Sequence, residues 1–139
     1  MTAQPARESA SLPTVLLVDD DEMVCRSVAR FLGRAGFDVT VTHSGHDALE
    51  WVRSRHFDAV VTDHNMPVMN GIELIEELVR RNPELRGHIF LTSGDLDILR
   101  HDAFLKSTGS RGLEKPFQVA ELASTLRSTL GLAPAPPNN

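Results

Sequence analysis

Two hydrophobic patterns alternate along the chain: short unbroken apolar runs, and longer stretches with apolar residues every third or fourth position. The first run, residues 14–18 (TVLLV), predicts a strand buried on both faces. It stops abruptly at Asp19, Asp20, Asp21 and Glu22. Over residues 21–35, Val24, Val28, Phe31, Leu32 and Ala35 keep helical spacing, and Gly36 is a suitable stop. The acidic residues at the start suit a helix N-terminus. Residues 37–41 (FDVTV) alternate strictly, which predicts an edge strand with one wet face. Ser44-Gly45-His46-Asp47 has capping-box spacing and opens a helix reaching Arg55, with Ala48, Leu49 and Val52 inward and Trp51 on its flank.

Residues 57–62 (FDAVVT) form the next buried run, ending on Asp63. Met66-Pro67 excludes helix at the residue before the proline, and Asn70-Gly71 supplies a turn. A helix follows with Ile72, Ile75, Leu78 and Val79 on one face, closed by Asn82-Pro83. Residues 88–92 (HIFLT) predict another buried strand, broken by Ser93-Gly94. A weaker helix over 97–107 and a short strand over 111–114 lead to Lys115-Pro116-Phe117. The last helix carries Val119, Leu122, Ala123, Leu126 and Leu130. Disordered tails are expected over 1–13 and the Pro-rich 132–139, leaving a domain over 14–131.

Strands alternating with helices predict a parallel sheet covered on both faces, a doubly wound (βα)5 α/β fold of flavodoxin-like type. Right-handed crossovers bring every strand's carboxyl end to one rim. An order 2-1-3-4-5 makes the alternating second strand and the short fifth the edges, with the switch point between strands one and three. Ligands of open α/β sheets bind there. Asp19 and Asp20 end strand one, Asp63 strand three, Thr92 strand four and Lys115 strand five, so these side chains converge. Taken alone, Asp63 reads more readily as an aspartate capping a loop turn.

Composition narrows the classes. The 139 residues suit one domain with a real core, and 14 basic against 19 acidic residues give a net charge of −5. With no Lys/Arg block, neither a nucleic-acid grip nor attachment to an anionic membrane is expected. The lone Cys25 cannot form an internal disulfide, which fits a reducing cytoplasm. No apolar run is long enough to span a bilayer.

Three close carboxylates raise each other's pKa unless a cation sits among them. Hard oxygen donors without paired Cys or His favour Mg²⁺ over zinc, and Mg²⁺ on one or two carboxylates commonly completes its shell with water and a phosphoryl oxygen. The Thr92 hydroxyl and the Lys115 charge suit the same phosphoryl group. An aspartate can accept a phosphoryl as an acyl phosphate, and Asp63 is the carboxylate left once the acidic pair binds metal.

The motifs VLLVDDDE (15–22), VVTDHNMPVMNG (60–71), LTSG (91–94) and EKPF (114–117), in this order, resemble the receiver domain of two-component response regulators. The resemblance implies that Asp63 is phosphorylated by a histidine kinase or histidine phosphotransfer protein. It implies a Mg²⁺ site of Asp19, Asp20, Asp63 and the backbone carbonyl of Asn65, with Asp20 direct and Asp19 largely through water. Thr92 and Lys115 match the family's phosphoryl-sensing hydroxyl and lysine, and a cis Lys115-Pro116 bond is expected. Such a module catalyses only its own phosphorylation and dephosphorylation. Output is expected through protein contact on the face made by the fourth helix, fifth strand and fifth helix.

The family usually carries Tyr or Phe three residues before the lysine, and Gly112 stands there. The segment 104–117 resembles receivers of hybrid sensor kinases, or single-domain receivers, more than those of transcription factors. His64 reads as a loop or helix-packing residue, Cys25 as a packing residue, and His43 and His46 lack further donors for a metal site. A competing class is a haloacid-dehalogenase-type phosphatase using Asp19 and Asp21. It lacks a second acidic pair after the lysine and leaves Asp63 without a role.

Overall fold

Five parallel strands form one sheet in the order β2-β1-β3-β4-β5 in the computed structural model, which describes residues 11–133. The strands are β1 (Thr14–Val18), β2 (Asp38–Thr42), β3 (Ala59–Asp63), β4 (Ile89–Ser93) and β5 (Arg111–Glu114). The helices are α1 (Glu22–Arg34), α2 (Gly45–Ser54), α3 (Gly71–Arg81), α4 (Leu96–Leu99), α5 (Asp102–Thr108) and α6 (Val119–Thr129), with a 3₁₀ turn at Pro83–Leu85. The flavodoxin-like doubly wound topology expected from the sequence is therefore the one observed. Of the expected tails, residues 1–10 and 134–139 lie outside the described residues.

The continuous apolar strands are explained by two cores, one on each face of the sheet. Leu16, Val18 and Val60 point toward Ala48, Leu49, Leu74, Ile75 and Leu78 of α2 and α3. Val15, Leu17, Val61 and Phe90 point the other way, toward Cys25, Val28, Leu32, Leu122 and Leu126 of α1 and α6. Alternation at period two feeds both cores from one run. The two edge strands, β2 and β5, are the partly wet ones.

Several expectations change in detail. The buried face of α1 is Cys25, Val28 and Leu32, whereas Val24 and Phe31 are 37% and 41% exposed. Both belong to a wider apolar stripe than the sheet covers. The cap of α2 is one-sided, Ser44 Oγ accepting from the Asp47 N–H at 3.1 Å. The reciprocal capping box is at α3: Asn70 Oδ1 accepts from the Glu73 N–H, and Glu73 Oε1 from the Asn70 N–H, both at 2.9 Å. The expected single helix over 97–107 is two pieces, α4 and α5. In an unbroken helix, the five-residue step from Leu99 to Phe104 would rotate the face by about 140° beyond a full turn. The break at Arg100 and His101 lets both Leu99 and Phe104 reach the same core.

Order extends slightly beyond the expected boundaries of 14 and 131. The Pro13 carbonyl accepts from the Asp38 N–H at 2.9 Å. At the other end, Gly131 (φ 71°) lets α6 finish in a Schellman motif, with Gly131 N–H on Ser128 O and Leu132 N–H on Arg127 O. Leu132 then packs on the second core rather than starting a free tail.

Candidate functional site

Strand register sets the rim. Val18 lies beside Thr42 on one side and Thr62 on the other, Asp63 beside Thr92, and Ser93 beside Glu114. The residues just past β1 and β5, and the last of β3, therefore end at one level. Carboxylate oxygens of Asp19, Asp20 and Asp63 all lie within 4.8 Å of one another. Lys115 Nζ sits 2.9 Å from Asp63 Oδ1 and 3.4 Å from Asp19 Oδ2. The Thr92 hydroxyl lies 3.4 Å from Asp63 Oδ1. All five candidate side chains thus occupy one site. Asp19, Asp63 and Thr92 are buried, and Asp20 is exposed.

The loop after β3 is built for close approach. The His64 carbonyl accepts from the N–H groups of Met66 and Gly71, folding the chain back on itself. A Cβ at Gly71 would lie 2.6 Å from the Asp63 carbonyl oxygen and 2.8 Å from His64 Cα, so only glycine fits. Asn65 is exposed in this loop. The Lys115-Pro116 bond is cis, as the resemblance implied.

Burial pushes the Asp19 carboxyl above the usual carboxylate range, and the Asp63 charge adds to this. The Asp21 N–H and Lys115 oppose it incompletely. Burial alone would lower the Lys115 ammonium, but its hydrogen bond to Asp63 and the charges of Asp19 and Asp63 outweigh that and hold it above its ordinary value. The site therefore gathers more negative charge than one lysine offsets. Hard oxygens at this spacing fit a divalent cation such as Mg²⁺. The enclosed space behind the cluster, lined by Val61, Asp63, Thr92 and Lys115 among others, is only about 10 Å³. Chemistry at these groups must reach them from the open rim.

Asp21 belongs to the helix instead, its Oδ1 accepting from the N–H groups of Met23 and Val24 at 3.0 and 3.2 Å. Burial pushes the Cys25 thiol up to about 12, which makes it a packing group and not a nucleophile. The sequence discounts His43 as a metal ligand and gives no sign of its contact with Asp19. Its Nδ1 lies 2.9 Å from the Asp19 carbonyl oxygen. No motif spacing marks it, because the two residues meet only through the pairing of β1 with β2.

The family model of the response regulator receiver domain matches residues 15–127. The chain is 34% identical over 116 residues to response regulator MprA of Mycobacterium ulcerans, covering 84% of this chain and 49% of that protein. It is 32% identical over 120 residues to transcriptional regulatory protein PrrA of Mycobacterium leprae, covering 86% and 51%. The chain thus spans about half the length of these relatives. Among solved structures, chemotaxis response regulator CheY4 of Vibrio cholerae superposes with a TM-score of 0.74 at 30% identity, covering 86% of this chain and 99% of that one. No helix among the described residues is long and apolar enough to cross a membrane.

Proposed function

The chain belongs to the response regulator receiver domain family, and from that premise we propose that Asp63 accepts a phosphoryl group from a phosphohistidine. The donor is a histidine kinase or a histidine phosphotransfer protein. An Asp63 carboxylate oxygen attacks phosphorus, the P–N bond breaks, and its electron pair stays on the imidazole nitrogen. The observation that carries this reading is the contact of one buried carboxylate, Asp63, with both Lys115 and Thr92.

Asp19, Asp20, Asp63 and the Asn65 carbonyl would hold Mg²⁺, which supplies charge neutralisation for the phosphoryl oxygens. Lys115 pairs with a phosphoryl oxygen as a point charge, and Thr92 donates its hydroxyl to another. The module turns over no separate substrate. Exposed Met23 and Val68, on segments that leave the same rim, offer apolar contact to a docking donor. The downstream protein is met on the face of α4, α5, β5 and α6. We take the domain to act in the cytoplasm, consistent with its single free thiol.

A phosphatase of haloacid-dehalogenase type is disfavoured because Asp21 is committed as the α1 cap. The test is incubation with acetyl phosphate and Mg²⁺, followed by intact mass. One added phosphoryl is expected in wild type and none in Asp63→Asn. Equal labelling of both, or label trapped on Asp19, overturns the assignment.

A further inference from the structure

The Asp19–Asp20 peptide links two of the three clustered carboxylates, and its carbonyl is held by groups outside the motif. Asp19 also donates its N–H, which belongs to the preceding peptide, to the Thr42 carbonyl at 3.2 Å. Its carbonyl oxygen faces His43 Nδ1 at 2.9 Å and the Cys25 thiol at 3.3 Å. A carbonyl only accepts, so His43 Nδ1 carries a proton toward it. The thiol is a weak donor, which leaves the imidazole as the stronger of the two.

From this geometry we infer that His43 is a positioning residue for the cation site: it fixes the plane of the Asp19–Asp20 peptide and thereby aims the Asp20 carboxylate. The inference rests on the receiver reading, in which these carboxylates hold Mg²⁺. Asp19 itself is anchored through its side chain by the Asp21 N–H and Lys115. Asp20 is exposed, and its direction follows from the peptide before it. Tilting that peptide moves Asp20 while leaving Asp19 in place. A side chain from the end of β2 thus governs a ligand after β1. Outer partners of metal ligands typically matter about 10–100-fold in affinity. Here the ring is exposed and the thiol shares the carbonyl, so about three- to tenfold is expected.

Mg²⁺ dissociation constants by calorimetry test this at one fixed pH, alongside thermal melts in EDTA. His43→Ala should weaken Mg²⁺ about three- to tenfold while the EDTA melt stays close to wild type. His43→Asn, whose amide NH₂ stands near the place of Nδ1, should recover most of the affinity. Unchanged affinity in His43→Ala overturns the inference, as does an equal loss in both variants. A fall in the EDTA melt that accounts for the whole effect overturns it too, by making the role general stability. A wild type that does not bind Mg²⁺ overturns the metal reading itself, and the inference with it.

Discussion

Replacing Lys115 by Met removes a cation shared by two buried carboxylates while keeping most of its apolar stem. Lys115 Nζ contacts Asp63 at 2.9 Å and Asp19 at 3.4 Å, and its side chain is 31% exposed. Hydrogen bonds to charged groups contribute about 1.5–3 kcal/mol, and stranding a buried charge costs about 3–5 kcal/mol. Water reaching the partly exposed end reduces this, so a loss of about 2 kcal/mol is expected in the absence of metal. A domain of this size loses about 3–5 °C of melting temperature per kcal/mol, giving a fall of about 6–10 °C in EDTA. The sign agrees with the raised Lys115 pKa. Its contribution is fully present below its ordinary value of 10.5 and is lost only as pH rises through the higher folded value. Mg²⁺ held by the same carboxylates would supply positive charge to them, so saturating metal should narrow the gap between variant and wild type. Differential scanning calorimetry in EDTA and in millimolar MgCl₂ reads both effects. A Lys115→Met melt that is unchanged or higher in EDTA would refute the argument, because it would mean that the carboxylates do not need the lysine.

Asp58 ties the start of β1 to the entry of β3, accepting from Thr14 N–H at 2.8 Å and Thr14 Oγ1 at 3.1 Å and pairing with His56 Nε2 at 3.1 Å. Burial alone would raise its carboxyl, but the Thr14 and His56 bonds outweigh that and hold it below the usual range. Its contribution is therefore present above pH about 3.9 and lost as pH falls through the folded value. Asp58→Asn should cost about 1 kcal/mol at pH 7, with the gap closing toward pH 3; urea denaturation showing the same loss at both would sink this. A Cβ at Gly112 would lie 3.1 Å from Leu99 Cδ2, so the missing side chain lets α4 pack closely on β5. Adding beryllofluoride should shift the amides of residues 93–98 and Gly112, and shifts confined to α1 and α2 would refute an output route through α4.

Strand positions, the order of elements and the polar rim were legible in the sequence because they depend on local quantities. Continuous apolar runs mark buried strands, and right-handed crossovers then send every strand end to the same rim. That logic alone brings Asp19, Asp20, Asp63, Thr92 and Lys115 together. The tertiary structure decided which apolar positions are covered. Val24 and Phe31 fit the helical period of α1 as well as Val28 does, but the sheet hides only the face carrying Cys25, Val28 and Leu32. It also decided the break between α4 and α5, since only three-dimensional packing requires Leu99 and Phe104 to reach one core. The contact of His43 with the Asp19 carbonyl was invisible for a related reason. Periodicity reports which face a residue occupies on its own element, whereas meetings between distant residues depend on strand register and loop path, which no local spacing encodes.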